Sequence, residues 1–310
     1  MDVIHDATRC DCSYANLVLT VGSFDGVHLG HQAILETVIA RARERGGTAA
    51  LMSLQPHPRA YFQGSEDFAL LTDSLQKVAL LQGAGLDAYF ILPFNDSVAR
   101  MEAGDFLARI LVAQCKAVHM VVGDDFFFGA GARGDTDYLR REGRQHGLTA
   151  EVVAPVYIDG ERVSSTRIRG LVAEGNLEAA RVLLGRPYAI AGTVARGRGL
   201  GRQLGYPTAN VLPEGVLLPA HGIYAARVTI DGVDVLGAVN IGYAPTLPHD
   251  RPVVEAHLLD FSDELAGRRL EIRLYHRLRG EKKFGGLAEL KAAIENDIVS
   301  IRQYFANESM

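Results

Sequence analysis

Two histidines three residues apart, His28 and His31, stand in the segment GSFDGVHLGHQAIL, directly after an apolar run at 17–22. Residues spaced i, i+3 share a face once a helix begins, so both imidazoles would stand at a first helical turn. A helix start offers free N–H groups and the positive end of the dipole, where a triphosphate would be held. Two imidazole donors there could stabilise charge on a phosphate being transferred. Glycines at 22, 26 and 30 let the backbone turn tightly and approach a ligand. The same residues also fit a helix cap with two surface histidines, or half of a metal site. Zinc would need further ligands, and no neighbouring Cys or His cluster supplies them.

Three further segments could carry chemistry. In VSSTRIRG (163–170) the hydroxyls of Ser164, Ser165 and Thr166 could cap a helix. Arg167 and Arg169 beside them make an anion site, which paired with the first motif reads as the other jaw of a triphosphate clamp. GRGLGRQLGYPTAN (197–210) holds Gly197 and Gly201 in a glycine-rich loop. No βαβ unit surrounds that loop, so it suits wrapping phosphates or closing as a flap better than binding a dinucleotide. In VVEAHLLDF (253–261), Glu255 is an acid within an apolar run. Such an acid costs free energy unless it is paired or functional, or else it faces solvent on an alternating strand.

The elements that must position these residues follow from periodicity. From 17 to about 184, β-branched runs at 17–22, 48–54, 88–92, 118–123 and 151–156 read as buried strands. Helical patterns separate them, at 31–47 and near 73–83, 104–113 and 135–147. This alternation predicts an α/β domain of nucleotide-binding, Rossmann-like type over 1–186, with ligands at the carboxyl ends of parallel strands. Helices at 166–174 and 176–184 precede a break at Gly185-Arg186-Pro187. Beyond it the period changes to strands at 188–195, 222–230, 233–241, 253–261 and 269–278, with a hairpin signal at Asp231-Gly232. Consecutive strands predict an antiparallel β-barrel or sandwich over 187–310, closed by an amphipathic helix at 287–304.

FDGVHLGH and VSSTRIR resemble the HxGH and SSTxIR signatures of the nucleotidyltransferase superfamily. With PHPRAYF (56–62) and VGDDFFFG (122–129) between them, the first half resembles the adenylyltransferase module of the prokaryotic bifunctional riboflavin kinase/FAD synthetase family. GRGLGRQLGYPTAN, GIYA, NIGYAPT, ExHLLDF and RLRGEKKF resemble that family's kinase module, so the likeness covers about 17–305. It implies phosphorylation of riboflavin to FMN by the second domain and FMN + ATP → FAD + pyrophosphate in the first. By this analogy His28 and His31 contact the ATP phosphates, with Gly22, Phe24, Gly26, Gly30, Ser164, Ser165, Thr166 and Arg169. Phe62, Asp124, Phe126 and Phe128 lie near the flavin or adenine. In the kinase module Glu255 is the base, Thr208 and Asn210 take Mg2+ and nucleotide phosphates, and Gly197 and Gly201 belong to the phosphate loop. Gln55 stands where relatives commonly have Glu, Phe127 where a polar residue or Arg is common, and Ala244 where Arg is frequent. The competing readings are an enzyme with only its kinase half active and a non-catalytic flavin-binding regulator.

Composition bounds the partners. A net charge of −5 gives no general attraction for nucleic acid or anionic membrane. No apolar run approaches bilayer length, and the first residues lack the basic and apolar regions of a secretory signal. Cys10, Cys12 and Cys115 form no CxxC pair, which suits reduced thiols in a cytoplasmic protein.

Overall fold

The computed structural model describes residues 1–9, 14–64, 68–195, 201, 205–243 and 252–308. They divide into two units, Met1–Ala69 with Ser74–Ser164, and Leu70–Asp73 with Ser165–Met310.

The first unit is a parallel sheet of β1 (Asp2–Ile4), β2 (Leu17–Val21), β3 (Ala49–Gln55), β4 (Ala88–Pro93), β5 (Ala117–Gly123) and β6 (Thr149–Val153). Its order is β1-β4-β3-β2-β5-β6, with every pairing parallel. All five residues of β2 are buried, as expected of a strand covered on both faces. Helix α1 (Leu29–Glu44) lays Leu35, Val38, Ile39 and Ala42 on one face, with Leu81 of α3 (Ser74–Ala84). A short α2 (Pro58–Gln63) follows β3, and α4 (Asp96–Ala99) and α5 (Ala103–Asp105) follow β4.

The segment expected as a helix over 104–113 continues from α5 as a π-helix, Phe106–Gln114. Its wider winding ends with the Cys115 N–H donating to the Ile110 carbonyl at 2.9 Å. Phe106, Leu107, Ile110 and Leu111 pack on the other face of the sheet. After α6 (Thr136–Gln145), the strand expected at 151–156 begins earlier and ends at Val153, before Pro155, which has no N–H for the ladder. The tiny hairpin β7 (Tyr157–Ile158) and β8 (Glu161–Arg162) and the edge strand β1 carry too few residues to show a period.

The second unit begins with α7 (Ser165–Glu174) and α8 (Leu177–Leu184). Six strands follow: β9 (Tyr188–Ala195), β10 (Ala209–Pro213), β11 (Gly222–Ile230), β12 (Val233–Tyr243), β13 (Pro252–Leu258) and β14 (Arg269–Arg279). They close as a barrel in the order β10-β13-β12-β11-β14-β9. Each pairing is antiparallel. Asp231 and Gly232 join β11 to β12 with φ of 51° and 83°, the two positive values of a type I′ turn. Ile190, Val228, Val239, Val254, Ala256 and Ile272 are fully buried in this unit.

Helix α9 runs Leu287–Glu308, four residues beyond the expected end. The extension carries Glu308 to an ion pair with Arg181, while Ile301 and Phe305 pack on Ala225 and Tyr275. Segment Leu70–Asp73 is also part of this unit: Leu70 bridges Val216 in parallel, and the buried Asp73 accepts from Arg269 Nη2 at 2.7 Å.

Cys115 is fully buried, and burial pushes its thiol up to about 12; Cys10 and Cys12 lie outside the described residues. The thiolate is the reactive form, so at pH 8 the folded chain should leave Cys115 unmodified by a maleimide. Denaturant should expose it, and peptide mass spectrometry of the Cys115 fragment distinguishes the two outcomes.

Candidate active sites

Strand β2 is central in its sheet, and the chain leaves it towards β3 on one side while β5 lies on the other. The loops after β2 and β5 therefore open at a topological switch point, where α/β sheets bind ligands. His28 is the N-cap of α1, and its Nδ1 accepts the His31 backbone N–H at 3.3 Å. Acceptance at Nδ1 places the proton of the neutral ring on Nε2, which then serves as a donor. The His28 and His31 rings stack with centroids 3.6 Å apart, and Phe24 stacks on His31 at 4.5 Å. This column of three rings needs a sharply folded loop: Phe24, Gly26 and Val27 have φ of 45°, 83° and 41°. Left-handed backbone at a β-branched residue is strained and persists only when its surroundings hold it. A Cβ on Gly30 would lie 3.2 Å from the His28 ring, so the glycine makes room for the imidazole.

A cavity of about 820 Å³ opens beside this loop. Among the expected residues Gly22, Phe24, His31, Phe62, Phe126 and Phe128 line it. Phe126 and Phe128 stack at 5.3 Å, and Phe128 is buried against Phe106. Phe62 is 70% exposed, edge-on to Phe94 at 5.8 Å. Asp124 is not in the lining: Arg162 holds it through a fork at 2.6 and 3.2 Å and reaches the lining residue Asp125 at 2.9 Å. Gln55 donates to the Ser74 hydroxyl at 3.0 Å and does not line the cavity either. His57 and Arg59, part of PHPRAYF but given no role of their own from the sequence, also line it. Their signal was a His and an Arg flanking a proline just past a strand end. Ser164 closes the first unit, while Ser165, Thr166 and Arg169 belong to α7 in the second.

In the barrel, register makes the site. Asn210 of β10 pairs with Glu255 of β13, which pairs with Asn240 of β12. Paired residues on neighbouring strands present side chains on one face about 5 Å apart, so Asn210, Glu255 and Asn240 form a row. Val254, Ala256 and Leu258 are buried and Glu255 is half-buried between them, so Glu255 lies on the outward face of an alternating strand. A cavity of about 350 Å³ covers this face, walled by Glu255, Asn240 and Thr208 and by Leu290, Ile294 and Asp297 of α9. A second cavity, of about 290 Å³, has Asn210 and Asp263 in its lining, and Thr208 borders both. Gly201 also faces the first of these, where a Cβ would meet the Tyr206 carbonyl at 2.3 Å. Gly197 and Ala244 lie outside the described residues.

Fixed polar contacts hold the walls. His257 Nδ1 lies 2.8 Å from the Pro207 carbonyl, next to Thr208. The Tyr206 hydroxyl donates to Glu295 of α9 at 3.1 Å, and desolvation with that carboxylate raises it above the usual phenol range. Arg279 grips Asp297 with Nε at 3.0 Å and Nη2 at 2.7 Å, and its guanidinium lies 5.7 Å from the Phe284 ring. The sequence alone gave no signal for this fork, because its two partners come from a strand and a helix. Arg279→Met strands a buried carboxylate and should cost about 3 kcal/mol. Adding Asp297→Leu should recover most of that loss, as read by chemical denaturation.

A family model described as FAD synthetase matches residues 12–167, and one described as riboflavin kinase matches 184–305. The bifunctional riboflavin kinase/FMN adenylyltransferase of Pseudomonas fluorescens is 42% identical over 286 residues, 92% of either chain. The protein of the same description from Escherichia coli K12 is 38% identical over 93% of this chain and 92% of its own. That of Bacillus subtilis is 34% identical over 94% of both. A crystal structure described as a macrolide-efflux protein from Streptococcus pneumoniae aligns with a TM-score of 0.88 at 25% identity, over 97% of this chain and 98% of that one. Among the described residues here, no helix is long and apolar enough to cross a membrane. With both models matched in order, and relatives of one description aligned along nearly the whole chain, it belongs to the bifunctional riboflavin kinase/FMN adenylyltransferase family.

Proposed function

We propose that the two reactions of the family are divided between residues 187–310, which phosphorylate riboflavin to FMN, and residues 1–186, which adenylylate FMN to FAD. The observation that carries the kinase assignment is Glu255 in register between Asn210 and Asn240, beside Thr208. An alcohol is a poor nucleophile, so a base helps. Glu255 accepts the proton of riboflavin's terminal hydroxyl as its oxygen bonds to the γ-phosphorus of ATP, and ADP leaves. Thr208 and Asn210 offer hard oxygens next to that carboxylate, the donor chemistry that suits Mg2+. They would hold the ion, which supplies charge neutralisation at the phosphates.

FMN needs no base, because its phosphate is already anionic. An oxygen of that phosphate bonds to the α-phosphorus of ATP and pyrophosphate leaves. The chain's task is then to position the groups and stabilise charge. His28 and His31, at the helix start behind Gly22, Phe24, Gly26 and Gly30, donate to the ATP phosphates. Ser164 adds a hydroxyl for the phosphate tail from the same unit; Ser165, Thr166 and Arg169 carry the same donor chemistry at the start of α7. Phe62, Phe126 and Phe128 flank the flavin, with Asp124 behind them through Arg162. The buried and exposed rings of the 820 Å³ cavity, next to the histidine column, support this reading. The use of ATP and free flavins as substrates supports a cytoplasmic enzyme. Its net negative charge gives no reason for a nucleic-acid or membrane partner.

Incubation with riboflavin, ATP and Mg2+, followed by chromatography of the flavins over time, should show FMN first and then FAD. FMN without FAD would leave only the kinase assignment. Glu255→Gln should cut FMN formation by about 10²-fold or more, with FAD formation from supplied FMN unchanged. His28→Ala should do the reverse, lowering adenylyl transfer by about 10²–10³-fold. Both activities falling together in either folded variant would sink the division of labour.

A further inference from the structure

We propose that Lys77 is a positioning residue of the adenylyl-transfer site, holding the 22–28 loop in its anion-binding shape. The inference rests on the reading that this loop takes the ATP phosphates. Lys77 belongs to α3, outside every motif singled out from the sequence, and its Nζ donates to the Ser23 carbonyl at 2.8 Å, across 54 residues of chain. Desolvation lowers its ammonium from the ordinary lysine range, opposed by the charge of Asp25. Asp25 is itself fully buried. Drawing an ammonium out of water near a buried carboxylate is expensive unless it is held in hydrogen bonds, and here one of its donors goes to one particular peptide group.

That peptide group links Ser23 to Phe24. A trans peptide is planar with its C=O and N–H opposed, so drawing the Ser23 carbonyl to Lys77 turns the Phe24 N–H the other way. It also fixes the start of Phe24, whose φ of 45° is unfavourable for a residue with a side chain and whose ring stacks on His31. One ammonium thus sets both a backbone donor and the aromatic support of a histidine. The loop's shape is fixed before a phosphate arrives, which lowers the cost of ordering it on binding.

The test uses the full-length chain and measures KM for ATP and kcat for FMN adenylylation, the unfolding temperature, and riboflavin phosphorylation as an internal report on the rest of the fold. Lys77→Met should raise KM for ATP about tenfold while kcat changes less than threefold, the pattern of lost binding common to ground and transition states. Lys77→Arg keeps a charged donor and should recover most of the affinity. Lys77→Met with Asp25→Asn removes both charges; it should restore the unfolding temperature but not the KM. Restoration of both would overturn the proposal, since charge compensation alone would then explain Lys77. A KM within twofold of the parent in Lys77→Met would also overturn it. His28→Ala separates the two readings: unchanged adenylyl transfer there removes the phosphate loop itself, whereas a loss there beside a silent Lys77→Met removes only the role of Lys77.

Discussion

Side-chain alternation along a β-strand is the constraint on which both halves of this molecule rest. Successive residues point to opposite faces, and what covers each face decides where chemistry has room. In the parallel sheet helices cover both faces, and Leu17 through Val21 of β2 are all buried. Such a strand meets a cavity at its carboxyl end, where Thr20 and Val21 border it, so the candidate reactive groups stand in the loops beyond. In the barrel only one face is interior. Val254, Ala256 and Leu258 fill it, and the outward residues between them are free to carry Asn210, Glu255 and Asn240 as a row across three strands. One geometric rule yields a loop site in one half and a strand-face site in the other.

The two kinds of site need different support. A loop has no ladder to hold it, and the turn at Phe24–Val27 is strained, so it is tied from outside. Gln32 donates to the Val27 carbonyl at 2.9 Å, and His28 caps the helix that follows. The strand-face site has its floor fixed by register and needs only its far wall secured, which the Arg279–Asp297 fork does. Such charge-assisted contacts at low exposure are the strong ones. Exposed pairs such as Arg100–Asp96, with side chains 82% and 74% accessible, contribute little.

The sequence announced most of this architecture because its signals are local. β-branched runs, the Asp231-Gly232 turn and the apolar stripe of α9 each declare an element without reference to anything distant. The histidine spacing and the glycines at 22 and 201 likewise mark segments that border cavities. For Glu255 the sequence leaves two readings, a costly acid in an apolar run or an outward residue of an alternating strand; the strand alternates, and Glu255 borders a cavity on the outward side. What stayed hidden depends on pairing across the chain. Asn240 matters by register, Arg279 by a helix that crosses it, and Asp124 is held by an arginine 38 residues later. Single-sequence periodicity carries no information on such partners. The π winding of Phe106–Gln114 was equally invisible, since its apolar residues fit an ordinary helical stripe over so short a span.

Asp73 sits within the half of the chain that is synthesised first, yet its partner Arg269 lies 196 residues later. All six strands of the parallel sheet have left the ribosome well before β14 is made, while domains in general fold as they emerge. Leu70 can pair once residues 215–217 are made, but Asp73 must wait until the last strand of the barrel supplies Arg269. The arrival of the last barrel strand is thus recorded in the amino-terminal half of the sequence, by the seating of one aspartate.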